Sequence, residues 1–173
     1  MTAYLAEMCI VDVFFSYCRE NSRAATQLVE VLQAAGISVW QDPRGADAPT
    51  VWTQEIVRAV EDCSVMIVLL SRTSVNSHNV VKEVSLGSER GKKLLPVKLE
   101  PVDIPATMHY PLGNLTPVEL YETVSLQEAT QKRYDALLKA LAEFGLISWE
   151  TEAPAPSAEA PAEEAGSVSE PVA

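Results

Sequence analysis

Positive charge, histidine and glycine are all scarce in this chain of 173 residues. Only 13 Lys and Arg stand against 24 Asp and Glu, giving a net charge of −11, and the one local basic cluster is Arg90, Lys92 and Lys93. Such a surface repels polyanions, so no nucleic acid is expected as a partner. The two histidines, His78 and His109, are too few and too far apart for a metal centre or a Ser/His triad. No metal is expected. None of the 7 glycines precedes Gly36, so neither a Gly-x-Gly-x-x-Gly nor a Gly-x4-Gly-Lys-Ser/Thr turn follows the first strand. That argues against a dinucleotide-binding dehydrogenase and a P-loop enzyme. Cys9, Cys18 and Cys63 are odd in number and lack paired spacing, which argues against a disulfide framework or a zinc knuckle and leaves them as small buried hydrophobes. The longest apolar run, Val65 to Leu70, is far below the roughly 20 residues that cross a bilayer, so no membrane partner is expected. With Glu7 and no basic segment ahead of Met8 to Val11, the amino terminus lacks the pattern of a secretory signal. A cytoplasmic location is the expectation.

What the chain does contain is a core: 47% of its residues are hydrophobic, enough for one domain of ordinary size. The expected division is a folded domain over 1–149 and an acidic Ala/Pro/Glu-rich tail over 150–173. The tail carries Glu152, Glu159, Glu163, Glu164 and Glu170 with no Lys or Arg. Too little apolar surface is available there to offset ordering entropy, so disorder is predicted.

Within the domain, strands alternate with helices, the pattern of an α/β fold around a mostly parallel sheet. The spacing predicts a strand over about Ile10 to Ser16 and a helix over about Ser22 to Ala35, with Gly36 as its left-handed cap. A strand over Ile37 to Gln41 and a Pro/Gly-bearing loop from Asp42 to Thr50 follow. Trp52, Ile56, Ala59, Val60 and Cys63 share a helical face that leads into the apolar third strand. The next helix ends near Gly91. Leu94 to Leu99 reads as the fourth strand, with Pro96 pointing to an edge or irregular position. Four prolines between Pro101 and Pro117 speak against regular structure there. A short strand near Val118 to Leu120 and a closing helix complete the domain; the helix opens on the capping box Ser125-Leu126-Gln127-Glu128 and carries Tyr134, Leu137, Leu138, Leu141 and Phe144 on one face.

The first and third strands each end in a hydroxyl, Ser16 and Ser71. In a doubly wound sheet of order 2-1-3-4-5 these strands are neighbours whose following helices pack on opposite faces, opening a crevice at their carboxyl ends. Glu83, twelve residues beyond Ser71 on the following helix, can aim a carboxylate into it. A two-component receiver would need an acidic pair after strand 1 and an Asp after strand 3, where this chain has Tyr17-Cys18 and Ser71.

Phe14-Phe15-Ser16-Tyr17, Val39-Trp40-Gln41-Asp42 before the loop, Leu69-Leu70-Ser71, and Ser77 to Glu83 followed by Leu95-Pro96-Val97 occur in the order found in Toll/interleukin-1 receptor (TIR) domains. The stretch from about Val11 to Phe144 resembles the bacterial type of that family. The resemblance implies a flavodoxin-like three-layer fold, with 42–50 corresponding to the family's BB loop. Many members cleave NAD+ with a glutamate on the helix after strand 3, the place of Glu83. Others are non-catalytic adaptors. Enzymatic members often carry an aromatic and a Cys just before that glutamate, whereas this chain has His78-Asn79-Val80-Val81-Lys82.

By this resemblance the chain is an NAD+ glycohydrolase that releases nicotinamide and ADP-ribose or a cyclic product, in immune-type or anti-phage signalling. NAD+ is then a substrate, and no cofactor is implied. Nicotinamide leaves as a neutral group from a cationic one, so no proton donor is needed, unlike sugar ethers with their paired carboxylates. One anion near the ribosyl cation suffices. Glu83 takes that role, with Phe15 or Trp40 to stack on a base, Ser16 and Ser71 to hold ribose or phosphate oxygens, and Asp42 and Ser77 completing the binding set. The bland alternatives are a buried packing role for Trp40 and a surface ion pair of Glu83 with Lys82 or Arg90. Self-association through 42–50, possible contacts with other TIR domains, and the opposed readings of a non-catalytic TIR scaffold or decoy and of a nucleoside deoxyribosyltransferase-like enzyme complete the expectations.

Overall fold

A computed structural model describes residues 11–41, 54–121 and 126–147, the last stretch with side chains from residue 134. Five strands, β1 (Val13–Ser16), β2 (Val39–Trp40), β3 (Val65–Leu70), β4 (Lys93–Lys98) and β5 (Val118–Glu119), form one sheet in the order β2-β1-β3-β4-β5. Every neighbouring pair is parallel. The helices are α1 (Ser22–Ala34), α2 (Gln54–Asp62), α3 (His78–Glu89), α4 (Ala106–Leu112) and α5 (Leu126–Glu143).

Side chains alternate across a strand, and the sheet sorts them into two cores. Val13, Phe15, Val65, Ile67 and Leu69 pack with Leu28 and Leu32 of α1 and with Leu137 and Leu141 of α5. Phe14, Met66, Val68 and Leu70 face the other way, against Ile56 and Val60 of α2, Val80 and Val84 of α3, and Met108 and Leu112 of α4. Covered on both faces, β3 is wholly buried over its six residues. This is why its sequence is a continuous apolar run instead of an alternating one. Each such side chain contributes about 1.5–3 kcal/mol of burial free energy.

The short β2 is held in register by polar contacts just outside it. The Val13 amide donates to the Ser38 carbonyl at 3.0 Å, and the Ser38 amide and hydroxyl both donate to Asp12 Oδ2, at 2.8 and 2.7 Å. Phe14 is thereby set opposite Trp40.

α3 is fixed at both its flank and its end. A Cβ on Gly87 would lie 2.8 Å from Met66 Cε, so the bare glycine lets the helix approach β3 closely one turn after Glu83. At the end, Gly91 has φ +66°, and the Lys92 amide donates back to the Gly87 carbonyl at 2.9 Å, closing a Schellman turn into β4. The Lys92 ammonium then donates to the carbonyls of Glu61 and Cys63. These lie at the carboxyl end of α2, where the helix dipole favours a cation.

Two expectations need correction. The proline-rich stretch contains α4, with Pro105 at its N-cap and Pro111 in its last turn. Prolines at those two places interrupt few helix bonds. Pro96 is not on an edge strand, because β4 lies between β3 and β5. The Leu99 amide points to β3 and the Lys98 carbonyl to β5, so by alternation the side of Pro96 that lacks a donor faces β5, whose pairing begins only at Val97. Strand β1 starts at Val13, and β2 is limited to Val39–Trp40. Residues 1–10, the 42–50 loop with Asp42 and Pro49, Trp52, Ser125 and the 150–173 tail lie outside the described residues. No helix among the described residues is long and apolar enough to cross a membrane.

Candidate functional site

From β1 the chain passes to α1 on one face of the sheet, and from β3 to α3 on the other. The carboxyl ends of these adjacent strands therefore flank the topological switch point, where open α/β sheets bind ligands. Ser16 is the last residue of β1, paired in register with Val68 and completely buried. It shares a face with Phe14, the face that α3 covers. Across it the Ser16 hydroxyl donates to Glu83 Oε2 at 2.6 Å, linking residues 67 positions apart. A hydrogen bond to a carboxylate at this length is of the charge-assisted kind. Glu83 is half-buried. Arg90, one of the two cations considered as its surface partner, bonds Glu61 at 3.0 Å.

Beside this pair, the Trp40 ring stacks on Phe14 with centroids 4.8 Å apart and planes inclined by 13°. Phe14 is buried and Trp40 half-buried. Phe15 does not share this site as the sequence suggests: it points to the opposite face, 2% exposed among α1 and α5 side chains. Alternation along β1 carries the missing signal, because a side chain that shares Ser16's face must lie two residues away.

Ser71 is likewise committed to the scaffold. Its hydroxyl donates to Asn21 Oδ1 at 2.7 Å, lies 2.9 Å from Thr73 Oγ1, and accepts from the Ser74 amide at 3.1 Å. These contacts engage the hydroxyl with the loops that follow β1 and β3. Asn21 also accepts from the Cys18 thiol at 2.8 Å, so the loops following β1 and β3 are tied together beneath the crevice. Burial pushes the Cys18 thiol above its ordinary range, with a hydrogen bond to Thr73 opposing that shift. A thiol raised in this way is protonated at neutral pH. Asn21 and Thr73 carry no pattern in the sequence that marks them for this task. Ser77 occupies the N-cap position of α3, half-buried, and its side chain makes no capping bond.

The resulting arrangement is one carboxylate, a buried hydroxyl bonded to it and a stacked aromatic pair, at the switch point of a five-stranded parallel sheet. The family model described as "TIR domain" matches residues 13–138, from the start of β1 into α5. The chain belongs to the TIR domain family. Among solved structures, the TIR domain of a Toll-related receptor from Hydra magnipapillata shares 21% identity with a TM-score of 0.57, covering 78% of this chain and 98% of that one. A TIR-STING receptor from C. gigas, solved with 2',3'-cGAMP, shares 22% at a TM-score of 0.54, over 79% of this TIR protein and 42% of the receptor. A CMP N-glycosidase from Clostridium botulinum shares 17% at a TM-score of 0.51, over 76% and 98% of the two chains. No curated protein matches in sequence. At these identities the likenesses establish the TIR domain's fold.

Proposed function

We propose that this TIR domain is an NAD+ glycohydrolase in which Glu83 stabilises the ribosyl cation. The reading rests on one contact, the 2.6 Å hydrogen bond from Ser16 to the Glu83 carboxylate at the carboxyl end of β1. In the reaction the C1'–N bond breaks and its electron pair leaves with neutral nicotinamide. Positive charge on the ribosyl ring then exceeds that in bound NAD+, so a fixed anion beside it stabilises the transition state more than the ground state. Water adds to C1' and loses a proton to give ADP-ribose; internal capture of the cation gives a cyclic product instead. Trp40, stacked on Phe14, supplies a platform for a base. Ser77, at the amino end of α3, is a further substrate contact, and Asp42 takes the same role by its place in the sequence. Self-association through 42–50 completes the active form, which serves immune-type or anti-phage signalling.

The likeness to a CMP N-glycosidase favours a second reading, in which the same carboxylate cleaves the N-glycosidic bond of a nucleoside monophosphate. Concentrated protein incubated separately with NAD+ and with CMP, with free base followed by chromatography, separates the two. Replacement of Glu83 by Gln should slow nicotinamide release about 100- to 1,000-fold, the usual effect of deleting one group that stabilises transition-state charge. Cytosine release without nicotinamide would transfer the assignment to CMP. Normal self-association with neither base released would leave a non-catalytic scaffold or decoy.

A further inference from the structure

We infer that Ser16 is a positioning residue that acts on the substrate only through Glu83, an inference that rests on the proposed role of that carboxylate. Ser16 has no accessible surface, so it cannot touch a ribose or a phosphate itself, in contrast to the role its sequence position suggested. Its single proton is given to Glu83 Oε2. The two partners differ in how firmly they are held. Ser16 stands in β1, parallel to β3 in register and flanked by buried Phe14 and Phe15. Glu83 reaches inward from α3 on a side chain with three torsions and rests at intermediate burial. A donor fixed to the sheet therefore selects one orientation of the carboxylate before substrate arrives. Pre-organisation of this kind raises the rate without adding contact to the ground state. The hydroxyl does this at a place where a methyl group would fill nearly the same space, so packing alone does not account for serine there.

The test compares Ser16→Ala, Ser16→Thr, Glu83→Gln and the Ser16→Ala/Glu83→Gln double variant in the full chain. With NAD+, Ser16→Ala should lower kcat about 10- to 100-fold, the worth of one hydrogen bond to a charged group. KM should stay within about threefold, and Ser16→Thr, which keeps the hydroxyl, should recover most of the rate. In the Glu83→Gln background, Ser16→Ala should cost nothing more. Equal losses in Ser16→Ala and Ser16→Thr, or a full additional loss in the double variant, would overturn the inference. An independent readout is the NMR spectrum of the Glu83 side-chain methylenes without substrate. Distinct, dispersed methylene shifts in the wild type should average in Ser16→Ala and stay dispersed in Ser16→Thr. Unchanged dispersion in Ser16→Ala would overturn the positioning role whatever the catalytic outcome. A wild type that releases no nicotinamide yet shows the NMR change defeats the NAD+ reading and leaves Ser16 orienting Glu83.

Discussion

Trp40 stands on Phe14 with one face and is half-buried, so its replacement tests binding and packing together. Trp40→Ala should raise KM for NAD+ more than it lowers kcat, and the lost stacking should cost about 0.5–1.5 kcal/mol of stability beyond the buried area. Trp40→Phe should keep most of both. Phe15→Leu provides the contrast: a large-to-small exchange in the core that leaves a cavity, costing about 1–3 kcal/mol of stability with KM unchanged. Steady-state kinetics paired with urea unfolding distinguishes them, and a KM effect at Phe15 equal to that at Trp40 would count against the face assignment. The same residues show what the sequence reveals at this scale. Glu83 is legible from its place on the helix after the third strand, and Trp40 from its place before the loop. Phe14, not Phe15, shares a face with Ser16, because the two-residue period of a strand ties those two together. The commitment of Ser71 to Asn21 and Thr73 had no signal, because it depends on where two loops meet in space.

The element that carries Glu83 is α3, and its ends are set by backbone chemistry. Gly91 adopts φ +66° with nothing within 4 Å of where a Cβ would stand, so Gly91→Ala should cost backbone energy alone, about 1–2 kcal/mol. Lys92→Met keeps the aliphatic stem but withdraws the cation from the carboxyl end of α2, and should cost about 1 kcal/mol. Urea midpoints at constant slope measure both; a neutral Gly91→Ala would mean that the left-handed turn is not required. Helix ends of this kind were readable, since Gly36 and Gly91 both follow amphipathic runs. α4 was not, because Pro105 and Pro111 read as breakers unless one knows that they fall at an N-cap and in a last turn. Pro96 misled in the same way, its donorless side facing β5 one residue before pairing starts.

At the scale of the whole molecule, the two buried thiols among the described residues couple stability to alkaline pH. Desolvation raises both Cys18 and Cys63 above the ordinary thiol value of 9.0, against which the charge of Lys92 lowers Cys63 and a Thr73 hydrogen bond lowers Cys18. A folded-state value above the unfolded one means that the unfolded chain loses these protons first, so stability is fully present below about pH 9 and falls as pH rises beyond it. Urea unfolding from pH 7 to 10.5 should show that fall, and Cys18→Ala with Cys63→Ala should flatten it; an equally steep fall in the double variant would assign it to other groups. The alternation of strands and helices pointed to a parallel sheet, and the strand order followed from the doubly wound arrangement that the TIR resemblance implies. Composition by itself reports only how many faces of a strand are covered, as in the unbroken apolar run of β3. The direct test of the account is nicotinamide released from NAD+ by the assembled wild-type protein and by Glu83→Gln at equal concentration. Release by the first, slowed about 100-fold or more in the second, is the predicted result. Equal release by both, or none from the wild type at any concentration, would contradict it.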